Sequence, residues 1–555
     1  MKKLAPFVPL FLLMSFFQLP VTVTAQLSRG GTPPSSSFSL SMDEVPQVAV
    51  APPMLEKIVR EDEQFPSPYR FGILVETDIE LSDAGRWTAL PGGEEVLRLT
   101  VSAPGALALT AYFDRFRIPE GGKLFLYDPA KSRILGAFTS LNQSPDGLFA
   151  TELIPGDRLV FEYVMPAGNN DLPSVHLDAV GYAYRGVDFL YPSAGSRNGA
   201  GECEVNVRCI EGDDWKKQKD GVVRIQVKRN ASMYWCSGAL LNNVRLDYKP
   251  YILTADHCGI GASSSDLEQW IFYFGYESPY CPNPPVPPIP NSMTGAKLKA
   301  HGGGGGTTGS DFFLVLLNAS IPDSFDVFYN GWNRKDTTSP NGVGIHHPKG
   351  DLKKISTYKS KLTTSGWNGN PYMSHWKVYW SETINGHGVT EGGSSGSPLF
   401  SFQGDVVGNL TGGDSSCDSA ALHAPDYYGK FSYSWESNGP DSTTRLKYWL
   451  DPDNTGVYRL GGIPLAVPQP LPANAVIRVF PNPFGELLTI FPGGFTSGNY
   501  RVAVFNLFGI AVYEKEVSLL RNEPLRIGLG FLSPGMYILR ISGSATVAGC
   551  KIIKQ

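Results

Sequence analysis

Cysteine is confined to one part of this 555-residue chain. The seven cysteines are Cys203, Cys209, Cys236, Cys258, Cys281, Cys417 and Cys550, so none lies in the first 200 residues. Six fall between 203 and 417. An even set in an exported segment reads as three disulfides, and spacing alone leaves fifteen pairings open. Zinc is disfavoured as a ligand of these thiols. The intervals 6, 27, 22, 23 and 136 contain no C-x-x-C and no nearby histidine pair. Cys550 is left over.

Export is read from the start of the chain. Met1-Lys2-Lys3 precedes the apolar run 7–17, and Val23 and Ala25 offer small residues before Gln26. The run is short for a membrane span, so 1–25 reads as a cleaved signal peptide. No later run is long and apolar enough to cross a bilayer. The mature protein is therefore expected to have no transmembrane segment. Hydrophobic content of 42% and charged content of 18% describe globular material. A net charge of −5 gives no reason to expect nucleic acid as a partner.

The chain divides by composition. Residues 27–70 are rich in Ser, Pro and acids and read as a flexible lead-in. Residues 71–185 give strand-like runs such as 71–80, 96–101, 106–113 and 158–164, separated by Pro/Gly turn signals. A cysteine-free β-sandwich is expected there, without a catalytic constellation. Residues 198–463 carry the six clustered cysteines, most of the histidines and many strand candidates, with the best helix over 441–450. Pro464, Pro468, Pro470 and Pro472 mark a stiff linker over 464–475. Residues 476–555 then alternate as the strands of a small β-module.

One turn in the third region stands out, Gly393-Ser394-Ser395-Gly396-Ser397-Pro398. It fits a G-x-S-G-x-P frame around a nucleophilic serine. Small residues allow a tight turn that exposes the Ser395 hydroxyl. The amides of Gly393 and Ser395 can then aim at one oxyanion. Ser394 and Ser397 are the alternatives. A serine nucleophile needs a base, and Leu253-Thr254-Ala255-Asp256-His257-Cys258 supplies His257 at the end of an apolar strand. His301, His346, His347 and His387 lie in weaker settings. Gly309-Ser310-Asp311-Phe312 supplies Asp311, a carboxylate at a strand head able to hold the imidazole tautomer. Asp256 is the rival acid, but a sequence neighbour points the wrong way to orient His257.

These residues resemble the trypsin-like double β-barrel serine proteases, in the order His257, Asp311, Ser395. They resemble the bacterial lysyl endopeptidases more closely. That likeness runs through 203–209, 235–238, 253–258, 310–312, 331–332, 345–348, 388–391, 393–398, 412–417 and 450–452. It implies an all-β chymotrypsin-like double-barrel domain with a C-terminal helix. It also implies the disulfides Cys203–Cys417, Cys209–Cys281 and Cys236–Cys258, and no cofactor or metal. The lysyl endopeptidases place a specificity aspartate after the serine, matched by Asp426, and a pocket-narrowing tryptophan, matched by Trp367. Thr411 stands where they have a histidine. A lone carboxylate in a short walled pocket favours lysine over arginine. Arginine or dual specificity is the alternative, and a surface adhesin on an inactive scaffold is the competing class. Protein or peptide substrates are the expected partners.

Activation by an N-terminal amine against an acid just before the serine is not expected, because that residue is Ser394. Cleavage after Arg197 would make 26–197 a pro-region, serving as inhibitor or folding aid. In the tail, Val479-Phe480-Pro481-Asn482-Pro483-Phe484, Pro534-Gly535-Met536-Tyr537 and Lys551-Ile552-Ile553-Lys554 resemble the type IX secretion sorting domain. The resemblance implies a C-terminal β-sandwich, a partner in the type IX machinery, and release or cell-surface attachment.

Overall fold

The computed structural model describes residues 30–38, 40–65, 67–190, 199–465, 476–493, 498–506, 511–519, 523–543 and 546–555. The expected signal segment, the expected Arg197–Asn198 junction and most of the expected Pro-rich linker lie outside the described residues. The chain forms two compact units, Met1–Ile463 and Pro464–Gln555.

In the first unit the N-terminal region and the cysteine-rich region share one sheet. Strand β1 (Tyr69–Glu80) lies between β2 (Ser174–Ala183) and a strand from beyond residue 200. That partner is β4 (Ser232–Leu241), which also pairs with β3 (Val222–Arg229). Strand β4 pairs in turn with β5 (Tyr251–Ala255), and β5 with β6 (Phe312–Leu317). On the N-terminal side a second sheet runs through Glu95–Ser102, Arg158–Met165 and Lys123–Tyr127. It packs on the first over a core that includes Leu97, Leu99, Phe113, Phe149, Phe161 and Leu177. The presumed lead-in is partly ordered. Gln47–Ala49 pairs in parallel with Glu95–Ser102, and helix Leu55–Gln64 follows. Asp62 on that helix is buried and ion-paired with Arg70 and Arg185.

The other half of the cysteine-rich region is built on a second sheet. Strands β7 (His375–Val378), β8 (Pro398–Ser401), β9 (Val406–Gly413) and β10 (Asp426–Lys430) are neighbours in it, in the order β8-β9-β10-β7. Apolar side chains from both halves, among them Leu253, Leu314, Ile345, Phe400 and Val406, close one core. Strand β10 ends at Lys430, where helix Phe431–Glu436 begins. Phe431 and Trp435 sit one helical turn apart and both pack on Trp332, which favours helix over strand. The helix expected over 441–450 forms only as Lys447–Leu450. Asp441 accepts from the amide and hydroxyl of Thr443 instead, holding a local turn.

The second unit has a three-stranded and a four-stranded sheet among its described residues. Leu488, Ile490, Val502, Val504, Leu539, Ile541 and Ile552 fill the core between them. Cys550 is a free, half-buried thiol whose pKa burial raises. Among the described residues no helix is long and apolar enough to cross a membrane.

Candidate active site

Strand β5 ends at Ala255, and a helical turn, Asp256–Gly259, takes over. His257 is the second residue of that turn. The Cys236–Cys258 disulfide ties the turn to β4. Asp311 lies immediately before β6, wholly buried, with φ of 54°. That left-handed backbone is unusual for a non-glycine residue. It lets the carboxylate turn back on the histidine. Oδ1 accepts from the His257 amide at 2.9 Å, and Oδ2 lies 2.7 Å from His257 Nδ1. The Asp311 carbonyl accepts from the Asp256 amide and from Asn409 Nδ2 of β9. The acid is thereby pinned from both halves of the fold. With Nδ1 donating to Asp311, Nε2 is left as the proton acceptor. Among the described residues Nε2 is enclosed and has no hydrogen-bond partner.

The rival acid is engaged elsewhere. Asp256 Oδ1 lies 2.9 Å from His301 Nδ1, and this contact raises the pKa of His301. His347 and His387 point Nδ1 at the backbone carbonyls of Asp351 and Gly388. His346 is buried between the hydroxyls of Ser394 and Ser356, and burial lowers its pKa to about 3. Its bond to Ser394 draws that hydroxyl into a separate network.

The serine turn is held by β4 and β9. The Ser237 amide donates to the Ser395 carbonyl at 2.8 Å, and the Ser237 hydroxyl donates to the Gly393 carbonyl at 3.0 Å. The Gly396 amide donates to the Leu410 carbonyl. Gly393 has φ of 95°, and a Cβ there would lie 2.8 Å from the Lys349 amide. Gly396 packs so closely on β5 that a Cβ would lie 2.6 Å from the Ala255 amide. The turn thus sits directly against the strand that presents His257. Neither the Gly393 nor the Ser395 amide donates to another group among the described residues, which leaves both available to an oxyanion.

Asp426 begins β10 and is wholly buried. Its Oδ2 accepts from Trp380 Nε1 (2.6 Å), Thr390 Oγ1 (2.7 Å) and Ser415 Oγ (2.6 Å). Burial raises its pKa, and these donors offset part of the rise. Among the described residues no cation pairs with it. The carboxylate lies between Thr390, which leads into the serine turn, and Gly413, its register partner on β9. Trp367 lies over this wall. A Cβ on Gly412 would sit 3.1 Å from its ring, and the ring meets Tyr427 edge-on at 5.5 Å. Thr411 Oγ1 is 3.0 Å from His375 Nε2. Sequence reasoning missed His375. It lies two residues before Lys377 in an ordinary strand, with no motif to mark it.

The cysteines pair as Cys203–Cys417, Cys209–Cys281 and Cys236–Cys258. Among the described residues no cluster of His, Cys, Asp and Glu could hold a metal ion.

Residues 197–429 match the family "Lysyl endopeptidase, C-terminal domain", and residues 478–555 match "Secretion system C-terminal sorting domain". A lysyl endopeptidase of Pseudomonas aeruginosa is 26% identical over 385 residues, covering 66% of this chain and 79% of that protein. Among solved structures, the protease Anisep from Arthrobacter nicotinovorans covers 38% of this chain and 90% of its own, with 19% identity and a TM-score of 0.27. The thermostable serine protease AL20 from an extremophilic microorganism covers 38% and 91%, with 11% identity and a TM-score of 0.28. The chain is a serine endopeptidase similar to the lysyl endopeptidases, and its residues 478–555 are a secretion-system sorting domain.

Proposed function

We propose that this exported protein hydrolyses peptide bonds on the carboxyl side of lysine. Ser395 Oγ attacks the lysyl carbonyl. His257 Nε2 takes the hydroxyl proton and later returns it to the leaving amine. Asp311 holds Nδ1 protonated and stabilises the imidazolium as it forms. The amides of Gly393 and Ser395 bind the developing oxyanion. Water then enters, gives its proton to His257 Nε2, and releases the acyl group from Ser395.

The single observation that carries lysine is the state of Asp426. A buried carboxylate with only neutral donors lacks its counter-charge. The substrate side chain supplies it. Trp367 stands over the same wall at Gly412 and shortens the pocket, which suits a compact ammonium better than a planar guanidinium. Thr411 and His375 flank it and tune its shape.

The reading extends to processing. Signal removal before Gln26 and a cut after Arg197 would leave 198–463 as the protease, 26–197 as a pro-region, 464–475 as linker and 476–555 as the sorting domain. Release or surface attachment follows passage through the type IX machinery.

Matched lysine and arginine amides test the specificity. Lysine should win by about tenfold or more in kcat/KM, and equal rates sink the lysine assignment. Labelling by an organophosphonate tests the nucleophile. A processed protein that takes no label, or a Ser395→Ala variant that still hydrolyses, removes Ser395 from its role.

A further inference from the structure

The N-terminal module meets the protease region beside the proposed nucleophile. Strand β1 pairs antiparallel with β4 in the register Trp235↔Tyr69, Tyr234↔Arg70, Met233↔Gly72 and Ser232↔Ile73. Trp235 directly precedes Cys236, whose disulfide partner Cys258 follows His257. Ser237, two residues on, holds the carbonyls of both Ser395 and Gly393. The β1-covered part of β4 therefore runs straight out of the catalytic centre. Tyr69 also reaches the serine turn. A Cβ on Gly392 would lie 2.8 Å from its ring.

A substrate bound for attack has a fixed direction here. Its lysine enters the Asp426 pocket, between Thr390 and β9. Its acyl half is held on that side of Ser395. A leaving half that passes Gly392, where the Tyr69 ring packs, would meet the edge of β4 at Trp235 and Tyr234. An extended peptide beside a strand edge gains main-chain hydrogen bonds by adding a strand.

We infer that the β4 edge at 232–235 is the binding strand for the leaving half of an extended substrate, and that β1 fills it in the intact chain. The N-terminal module is then a competitor for one half of the site only. Among the described residues the module makes no hydrogen bond to Asp426, Thr390 or Thr411. This inference rests on the catalytic reading above and adds to it where, and against which substrates, the module acts.

The experiment compares two substrates on the intact chain. One carries a chromogenic amide directly on the lysyl carbonyl and has no leaving-side residues. The other is an internally quenched peptide continuing several residues beyond the lysine. The intact chain is expected to cut the first and to be poor on the second. Tyr69→Ala removes the ring from Gly392. Gly72→Val drives a side chain into Met233 and the Tyr182 carbonyl, 2.8 Å from an added Cβ, and lifts β1. Both variants should raise the ratio of extended to short turnover by about tenfold. Hydrogen exchange at the amides of 232–235 reports whether β1 has lifted. An unchanged ratio with those amides freed overturns the inference. So does an intact chain that cuts neither substrate while its processed form cuts both. If no form cuts the short amide, the catalytic assignment falls and this inference with it.

Discussion

The amide of Gly201 donates to Glu391 Oε2 at 2.8 Å, across a sequence separation of 190 residues. Glu391 Oε1 meets Lys349 Nζ at 2.8 Å, and the neighbouring Ala200 amide donates to Asp351 Oδ2 at 3.0 Å. The stretch just after the proposed cleavage point is thus tied to the residue two before Gly393. Glu391→Gln keeps the shape and weakens a charge-assisted bond. We expect kcat on a short lysyl amide to fall several-fold to about tenfold, with KM little changed. Steady-state kinetics on the processed enzyme measures this.

Asp311→Asn leaves the carbonyl pinned by Asn409 but reverses the polarity at His257 Nδ1. The imidazole then adopts the tautomer that cannot accept from Ser395. A loss of about 10⁴ in kcat is expected, without loss of fold. Circular dichroism checks the fold and active-site titration checks the enzyme concentration.

Asp426→Asn separates specificity from stability. Turnover of lysyl substrates should fall by about 10²-fold or more, because the ammonium loses its buried partner. The free protein should not lose stability. Burial raises the Asp426 pKa in the fold, so the folded state binds the proton more tightly than the unfolded chain. Its ionisation therefore costs stability as pH rises from the ordinary carboxylate range through the folded value. In the asparagine variant that downward component is absent, and thermal melts across pH 3 to 7 will show it.

The buried histidines make the opposite prediction. Burial holds His346 at about 3 and His375 at about 4, both below the ordinary 6.5. The unfolded chain takes up these protons first as pH falls. Stability contributed by the neutral rings is full above about 6.5 and is lost as pH falls towards those folded values. His375→Gln should flatten the decline in melting temperature between neutral pH and about pH 4.

Replacing Cys236 and Cys258 by serine removes a link spanning 22 residues. A loss of about 3 kcal/mol is expected from the freed chain entropy. Activity should fall further than stability alone explains, because the bond also anchors the turn that carries His257. Denaturant melts and kcat on the same preparation separate the two effects.

The parts of the site that could be read from sequence are those carried by local punctuation. A turn of small residues frames Ser395, an apolar strand ends at His257, and an apolar strand starts at Asp311. The serine endopeptidase identity followed from that set and the comparisons agree with it. Long-range choices were not legible. Nothing beside Asp256 shows that it bonds His301, 45 residues away. The left-handed backbone of Asp311 has no glycine to announce it. The helix at 431–436 was hidden because its aromatic residues also suit a strand. Only Trp332, about a hundred residues earlier, decides between them. The continuity of β1 with β4 was hidden for a similar reason: strand pairing depends on backbone edges, which carry no residue code.

That continuity bears on how the chain comes to be folded at all. Phe71 stacks on Trp235 with ring centroids 4.2 Å apart, and Met233, Ile271 and Tyr273 share a core with Phe71, Tyr112 and Ala179. Residues 69–183 precede residue 232 in the order in which the chain is made and exported. The early strands can therefore stand as a template on which β4 is laid down. A chain begun at residue 198 would have to build its first barrel with that apolar face bare and a strand edge unpaired, the combination that most invites aggregation.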